Sequence, residues 1–405
     1  MLDGIRIRNF KSIDDLSIDL GRFNVLIGEN GCGKSNILEG VVFAAAGVSH
    51  NVENEFLSAR GARASDPQLM RSGFTENNSI QDILISLKTS NKTIDITFQN
   101  DNLPFSKWKT SLVASDKALN LNLSESNDKK ASIIKFDLYS QLLQRFSSLE
   151  KNNAISENDI IDFHNQIEFL STWFDPNTKN SGHSDISGFI IFSPEIYFLR
   201  NFSQQETYVE PLGTRGEGLL KLIKIIKKEK PEQYESIREN LLLIDWFDSF
   251  DVKEDASFGD TEFYITDKYL EDGLKSFDIR NANEGFLYLL FYITLFTSDY
   301  TPSFFAIDNI DTALNPKLCS KLITILSQLA VKHNKQVIIT THNPSVLDGL
   351  NLNDENERLF VIARNANGHT RAKRVEKKTP LEGEQSVKLS EQFMRGYIGG
   401  LPKNF

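Results

Sequence analysis

Eight consecutive residues constrain this chain more than any others. Gly28-Glu29-Asn30-Gly31-Cys32-Gly33-Lys34-Ser35 matches the pattern G-x-x-x-x-G-K-[ST] in full. It follows an apolar strand pattern, Phe23-Asn24-Val25-Leu26-Ile27, and precedes a helical one from Asn36 to Ala46. Strand, glycine-rich turn and helix in that order form a phosphate-binding loop. Glycines let backbone N–H groups turn toward phosphate oxygens, and the helix N-terminus adds its dipole. Lys34 supplies a point charge to the β- and γ-phosphates, and Ser35 reaches Mg2+. An accidental glycine turn is the competing reading, and the flanking strand and helix count against it.

Such a loop needs a second acid for the metal. Asp308, at the end of the buried run Phe304-Phe305-Ala306-Ile307, is the best placed carboxylate. A strand-terminating turn aspartate is the bland alternative. Farther on, Gln336-Val337-Ile338-Ile339-Thr340-Thr341 reads as another buried strand, followed by His342 and then by Asn343-Pro344 as helix cap and first helical residue. A histidine there faces the edge where strand carboxyl ends form the ligand crevice, which favours a γ-phosphate contact over a structural role.

The remaining patterns are of α/β type. Strands are expected around Ile5–Phe10, Leu16–Leu20, Ile83–Leu87, Ile94–Phe98, Phe189–Phe192, Trp246–Val252, Glu262–Thr266, Ser303–Ile307 and Leu359–Ala363. Helices are expected at Glu217–Lys228, after Pro231, from Ala282 to Phe296 and from Pro316 to Ala330, with a short one from Pro344. Residues 101–187 are polar, with amphipathic helices near 133–149 and 157–173, and read as an insertion. A site built from residues 28–35, 308 and 342 needs both ends of the chain in one sheet. The 405 residues therefore read as a single domain assembled from 1–100 and 188–405, interrupted by 101–187.

The opening Ile5-Arg6-Ile7-Arg8-Asn9-Phe10-Lys11-Ser12, the phosphate loop continued by Asn36, Ile307-Asp308, and Thr340-Thr341-His342-Asn343-Pro344 together resemble the ABC-type ATPases of the RecF, SMC and OLD branch. The resemblance implies an α/β ABC-ATPase head: a P-loop core sheet, an antiparallel β subdomain and an inserted helical subdomain. It implies ATP and Mg2+ as cofactors, nucleotide contacts at Lys11, Ser12, Asn30, Gly31, Cys32, Gly33, Lys34, Ser35 and Asn36, and metal contacts at Ser35 and Asp308. Two heads would associate head-to-tail as a homodimer or higher homo-oligomer, each offering a signature segment to the partner's nucleotide. By position that segment is Asn283-Glu284-Gly285, which lacks the usual serine and second glycine, and which an ordinary helix cap at Asn283 explains equally well. The dimer-facing loop would be Thr312-Ala313-Leu314-Asn315-Pro316, which also describes a helix start.

One departure bears on turnover. Where the family usually places a glutamate after the metal-binding aspartate, this chain has Asn309. An amide cannot accept a proton, so a general-base contribution of roughly 10²–10⁴-fold is missing unless Asp311 replaces it. Slow hydrolysis and a long-lived ATP-bound dimer are the expected result, with Asn309, Asp311 and His342 as the residues that decide catalysis.

Within the branch, Ile307-Asp308-Asn309-Ile310-Asp311, Asn283-Glu284-Gly285 and the C-terminal Gly396-Tyr397-Ile398-Gly399-Gly400-Leu401-Pro402 resemble ATPase subunits of prokaryotic anti-phage systems such as Septu and the retron-associated ATPases. Those ATPases work with a separately encoded nuclease of HNH type. The segment after His342 has no paired Asp-x-Asp, so no OLD-type nuclease is expected on this chain, and 101–187 lacks the sustained heptads of an SMC coiled coil.

Charge and length limit the partners. Lys plus Arg total 45 against 55 for Asp plus Glu, a net −10, so DNA or RNA would meet a local positive groove at a dimer or partner surface. The lysines at 221, 224, 227, 228 and 230, and Arg371, Lys373, Arg374, Lys377 and Lys378, read first as solvated faces and second as a nucleic-acid or partner contact. The two cysteines, Cys32 and Cys319, have no metal-ligand spacing. The chain opens without a secretory pattern, and its most apolar stretch, Phe286 to Phe296, is shorter than the roughly 20 residues that span a bilayer. A cytoplasmic protein with no membrane role is expected.

Overall fold

Ile5 and Ile7 alternate with Arg6 and Arg8, and in the computed structural model this pattern forms β1 (Gly4–Phe10) with its apolar side chains buried. The structure describes residues 1–74, 79–89, 92–103, 105–115, 186–201, 211–253, 263–271, 273–376 and 387–401. The helices expected near 133–149 and 157–173 lie outside them, as do Lys377 and Lys378. The chain divides into two compact units: Met1–Gly21 with Gly31–Phe189 and Ile362–Lys373, and Arg22–Asn30 with Ile190–Val361 and Arg374–Phe405.

In the first unit β1 pairs antiparallel with β2 (Ile13–Asp19) and with β4 (Ile83–Thr89), and the sheet continues through β5 (Lys92–Gln99) to β6 (Lys109–Ser115), in the order β2-β1-β4-β5-β6. Residues 109–115 thus extend this sheet, although the sequence reading gave them to the insertion. The helix Lys34–Val48 is buried almost all round, as its apolar composition requires. Phe43 packs between Phe10 at 5.4 Å and Phe98 at 4.4 Å between ring centroids. Burying such a ring contributes about 2–3 kcal/mol. Gly40 and Gly47 set the closeness of this packing: a Cβ would come within 2.6 Å of Ile7 Cδ1 at the first and 2.7 Å of Phe98 Cζ at the second.

The second unit holds a parallel sheet. Its neighbours run β13 (Glu357–Arg364, through Val361 in this unit), β3 (Phe23–Ile27), β12 (Gln336–Thr341), β11 (Phe304–Ile307) and β7 (Ile191–Phe192), with parallel pairing at each step. Strands β3, β11 and β12 are buried along their whole length, which is why they read as continuous apolar runs rather than alternating ones. The sequence-distant β3 lies between β12 and β13. β14 (Thr370–Val375) follows β13 at the edge of the same order.

Around this sheet lie the helices Leu219–Glu229, Pro231–Leu241, Glu284–Thr297 and Pro316–Lys332, and a small antiparallel sheet of β8 (Phe247–Val252), β9 (Phe263–Asp267) and β10 (Ser276–Asp278). The Glu284–Thr297 helix is buried from Phe286 onward. Past its end the Lys335 ammonium donates to Ser298 O at 2.7 Å, Thr301 O at 2.9 Å, Thr301 Oγ1 at 3.0 Å and Pro302 O at 3.2 Å. Burial lowers its pKa to about 8. The segment from Pro344 to Gly349 is a 3₁₀ turn capped by Asn343. Among the described residues no helix is long and apolar enough to cross a membrane.

Candidate functional site

The phosphate loop leaves β3 at Ile27, and its shape follows from its glycines. Gly31 has φ 74° and Gly33 φ 107°, both in the left-handed half of conformational space that glycine enters without strain. At Gly31 the loop is open, with nothing within 4 Å of where a Cβ would stand. At Gly33 it is closed: a Cβ would lie 2.1 Å from Thr370 Oγ1 and 2.8 Å from Ser12 Oγ. Thr370 donates to Cys32 O at 2.9 Å and lies 2.7 Å from Ser12 Oγ, which accepts from Asn36 Nδ2 at 2.6 Å. Ser12 and Asn36 therefore build the floor that holds the loop's curvature. Lys34 is buried, with Nζ 3.8 Å from Cys32 Sγ; Ser35 is half-buried; Asn30 is exposed.

Lys11 also has partners within the protein. With φ 48°, it donates through Nζ to Glu39 Oε2 at 2.6 Å and to Arg63 O at 3.1 Å. Glu39, buried one turn beyond Ser35, also accepts from Arg63 N at 3.2 Å and from its Nε at 2.7 Å. This ion pair fixes the start of the Lys34–Val48 helix against the β1–β2 turn.

At the carboxyl ends of the parallel strands, the register aligns Ile27 of β3 with Thr341 of β12, and Ile307 of β11 with Ile339. Gly28, Asp308 and His342 consequently leave the same sheet edge. Thr340 donates to Asp308 Oδ1, and the same hydroxyl oxygen accepts the Asn309 N–H at 2.9 Å. Asn309 is exposed with φ 57°, a conformation that asparagine tolerates and glutamate does not favour. Asp311 turns inward, where its Oδ1 accepts from Thr341 Oγ1 at 2.6 Å, and Thr341 Oγ1 accepts from Asn343 N at 3.0 Å. His342 is exposed at the strand end. Near Asp311, the Tyr292 hydroxyl is buried with no hydrogen-bond partner among the described residues, and burial first and Asp311 second push the Cys319 thiol up to about 11.

Asn283 caps the Glu284–Thr297 helix, its Oδ1 accepting from Phe286 N at 2.9 Å. Asn315 does the same for Pro316–Lys332 through Leu318 N at 3.0 Å. Asn283, Glu284, Gly285, Ala313 and Asn315 line one cavity of about 690 Å³, so the candidate signature and the candidate dimer-facing loop lie side by side. Sequence reasoning missed Thr370, Glu39 and the two hydroxyls of Thr340 and Thr341 as working groups.

These groups fit the nucleotide and metal that such a loop implies. The open Gly31 side leaves room for a phosphate over a rigid floor. The Ser35 hydroxyl in one unit and the Asp308 carboxylate in the other are each the kind of hard oxygen donor that Mg2+ takes.

The family described as "AAA domain, putative AbiEii toxin, Type IV TA system" matches residues 23–348. The chain is 31% identical over 93 residues to the DNA replication and repair protein RecF of Clostridium tetani, covering 23% of this chain and 22% of that protein. It is 25% identical over 176 residues to RecF of Clostridium botulinum, covering 42% and 44%. The chain thus spans less than half the length of these relatives. A crystal structure of an SMC head bound to the C-winged helix domain of ScpA superposes with a TM-score of 0.53 at 15% identity, over 93% of this chain and 98% of that one. The chain belongs to this AAA-domain family and has the ABC-type ATPase head fold of the RecF and SMC branch.

Proposed function

We propose that this protein is a nucleotide-operated switch that binds ATP with Mg2+, dimerises head-to-tail through the nucleotide and hydrolyses it slowly. Lys34 and the backbone from Asn30 to Gly33 hold phosphate, Ser35 and Asp308 hold the metal, His342 reads the γ-phosphate, and Asn283-Glu284-Gly285 meets the partner's nucleotide. The observation that carries the slow-switch reading is Asn309, exposed at φ 57° where related ATPases place a glutamate. Asp311, the next carboxylate after it in sequence, is engaged by Thr341. The output passes to a separately encoded nuclease of HNH type, in a cytoplasmic anti-phage role.

The mass of the protein in solution with and without ATP·Mg2+, measured alongside phosphate release, tests this. A nucleotide-dependent doubling of mass with turnover well below one per second supports it; rapid turnover by a monomer rejects it.

A second reading is favoured by the two RecF relatives: a clamp on duplex DNA that hydrolyses ATP to let go. ATPase activity stimulated by DNA alone and falling steeply with salt would select it.

A further inference from the structure

The hairpin that joins β13 to β14 grips two successive carbonyls of the phosphate loop. Thr370, at its far side, holds Cys32 O, and Arg364, at its near side, donates through Nε to Gly31 O at 2.8 Å. The hairpin is closed by hydrogen bonds of its own. Asn365 Oδ1 accepts from Asn367 N at 3.0 Å and His369 N at 2.9 Å, and Thr370 N donates to Ser12 O at 2.8 Å.

Arg364 is exposed, yet its side chain is folded back onto the loop rather than extended into water. Because Nε makes the bond to Gly31, the two Nη groups remain, and among the described residues no carboxylate pairs with them. They stand at Gly31, whose Cβ side is open, unlike that of Gly33. A guanidinium tethered by Nε presents a planar pair of donors in a fixed direction, the arrangement that suits two oxygens of one phosphate. Tethering in advance also lowers the entropy lost on binding.

We propose that Arg364 is a phosphate-binding residue, a second cation beside Lys34 for the nucleoside di- or triphosphate held by the same loop. The inference rests on the reading of that loop as a nucleotide site. A role confined to bracing Gly31 is the alternative, and substitution separates the two. Glutamine has its amide nitrogen the same number of bonds from the backbone as arginine Nε, so Arg364→Gln keeps a donor for Gly31 O and deletes only the charged fork.

The test is direct binding of ATP·Mg2+ and ADP to the full chain by titration calorimetry at two salt concentrations, with thermal unfolding of the nucleotide-free protein measured alongside. Arg364→Gln is expected to weaken binding about tenfold, to reduce its salt dependence and to leave unfolding unchanged, while Arg364→Lys recovers part of the affinity. Unchanged affinity in Arg364→Gln overturns the proposal, as does a loss of affinity matched by lower stability in both variants. If Lys34→Ala and the parent bind equally poorly, the nucleotide reading itself fails, a result distinct from the failure of Arg364 alone.

Discussion

Thr340 holds Asp308 across the β11–β12 pair, its hydroxyl donating to the carboxylate while accepting the Asn309 N–H at 2.9 Å. The parallel register makes this contact: Ile307 faces Ile339, so the residues that follow are neighbours at the sheet edge. Thr340 is fully buried, and water cannot replace its hydroxyl without rearrangement.

Thr340→Val, which keeps the shape and removes the hydroxyl, is expected to cost about 1–3 kcal/mol of stability, because it takes one buried hydrogen-bond partner from the Asp308 carboxylate and one from the Asn309 N–H. Thr340→Ser should keep most of it. Urea unfolding of the three proteins measures the difference, and a weaker Mg2+ dependence of nucleotide binding in the valine variant should accompany it. A valine variant as stable as the parent would show that Asp308 needs no such support.

Gly31 and Gly33 separate two costs that are usually confounded. Alanine at Gly31 meets open space and carries only the left-handed backbone cost of roughly 1–2 kcal/mol. Alanine at Gly33 adds a collision with Thr370 Oγ1 at 2.1 Å and must displace the loop or the hairpin. The expected outcome is a modest stability loss for Gly31→Ala, and for Gly33→Ala a larger one with nucleotide binding abolished. Equal effects would mean that the Thr370 floor is not what shapes the loop.

Asn309→Asp supplies a carboxylate at the turnover position in a residue that tolerates φ 57°, so its backbone cost is small. If a general base is what the site lacks, phosphate release should rise by roughly 10²-fold with little change in stability. Turnover already fast in the parent and unaltered in the variant would contradict the slow switch.

The parts of this site legible in the sequence are those written in consecutive residues. The phosphate loop, the strand ends at Asp308 and His342, and the caps Asn283 and Asn315 each sit beside the pattern that reveals them. Thr370 and Arg364 were illegible because their partners, Cys32 and Gly31, lie 338 and 333 positions away and are brought near only by the fold. The Lys11–Glu39 pair was illegible because Glu39 looks like one more polar residue of a helix, and only its burial shows that it needs a cation. β6 was missed because, among the described residues, it is the last strand of its sheet, and Lys109 to Val113 are no more than half-buried, which leaves a faint alternation.

Lys335 provides a prediction in pH. Its ammonium is buried among oxygens of Ser298, Thr301 and Pro302 beyond the Glu284–Thr297 helix, and burial brings its pKa from 10.5 to about 8. The fold therefore disfavours the charged form. Below pH 8 both folded and unfolded chains carry the proton, and this part of the stability is at its minimum. Between pH 8 and 10.5 the unfolded chain still binds a proton that the folded chain has released, so stability rises with pH, by up to about 1.4 kcal/mol per unit. Above 10.5 the contribution levels off. Lys335→Met removes both the hydrogen bonds and the titration, so its stability carries no contribution from this group that changes with pH. Urea unfolding of parent and variant from pH 7 to 11 should give curves that diverge through this window, with the parent gaining on the variant. Parallel curves would mean that the carbonyls compensate fully for desolvation and hold the Lys335 pKa at its ordinary value.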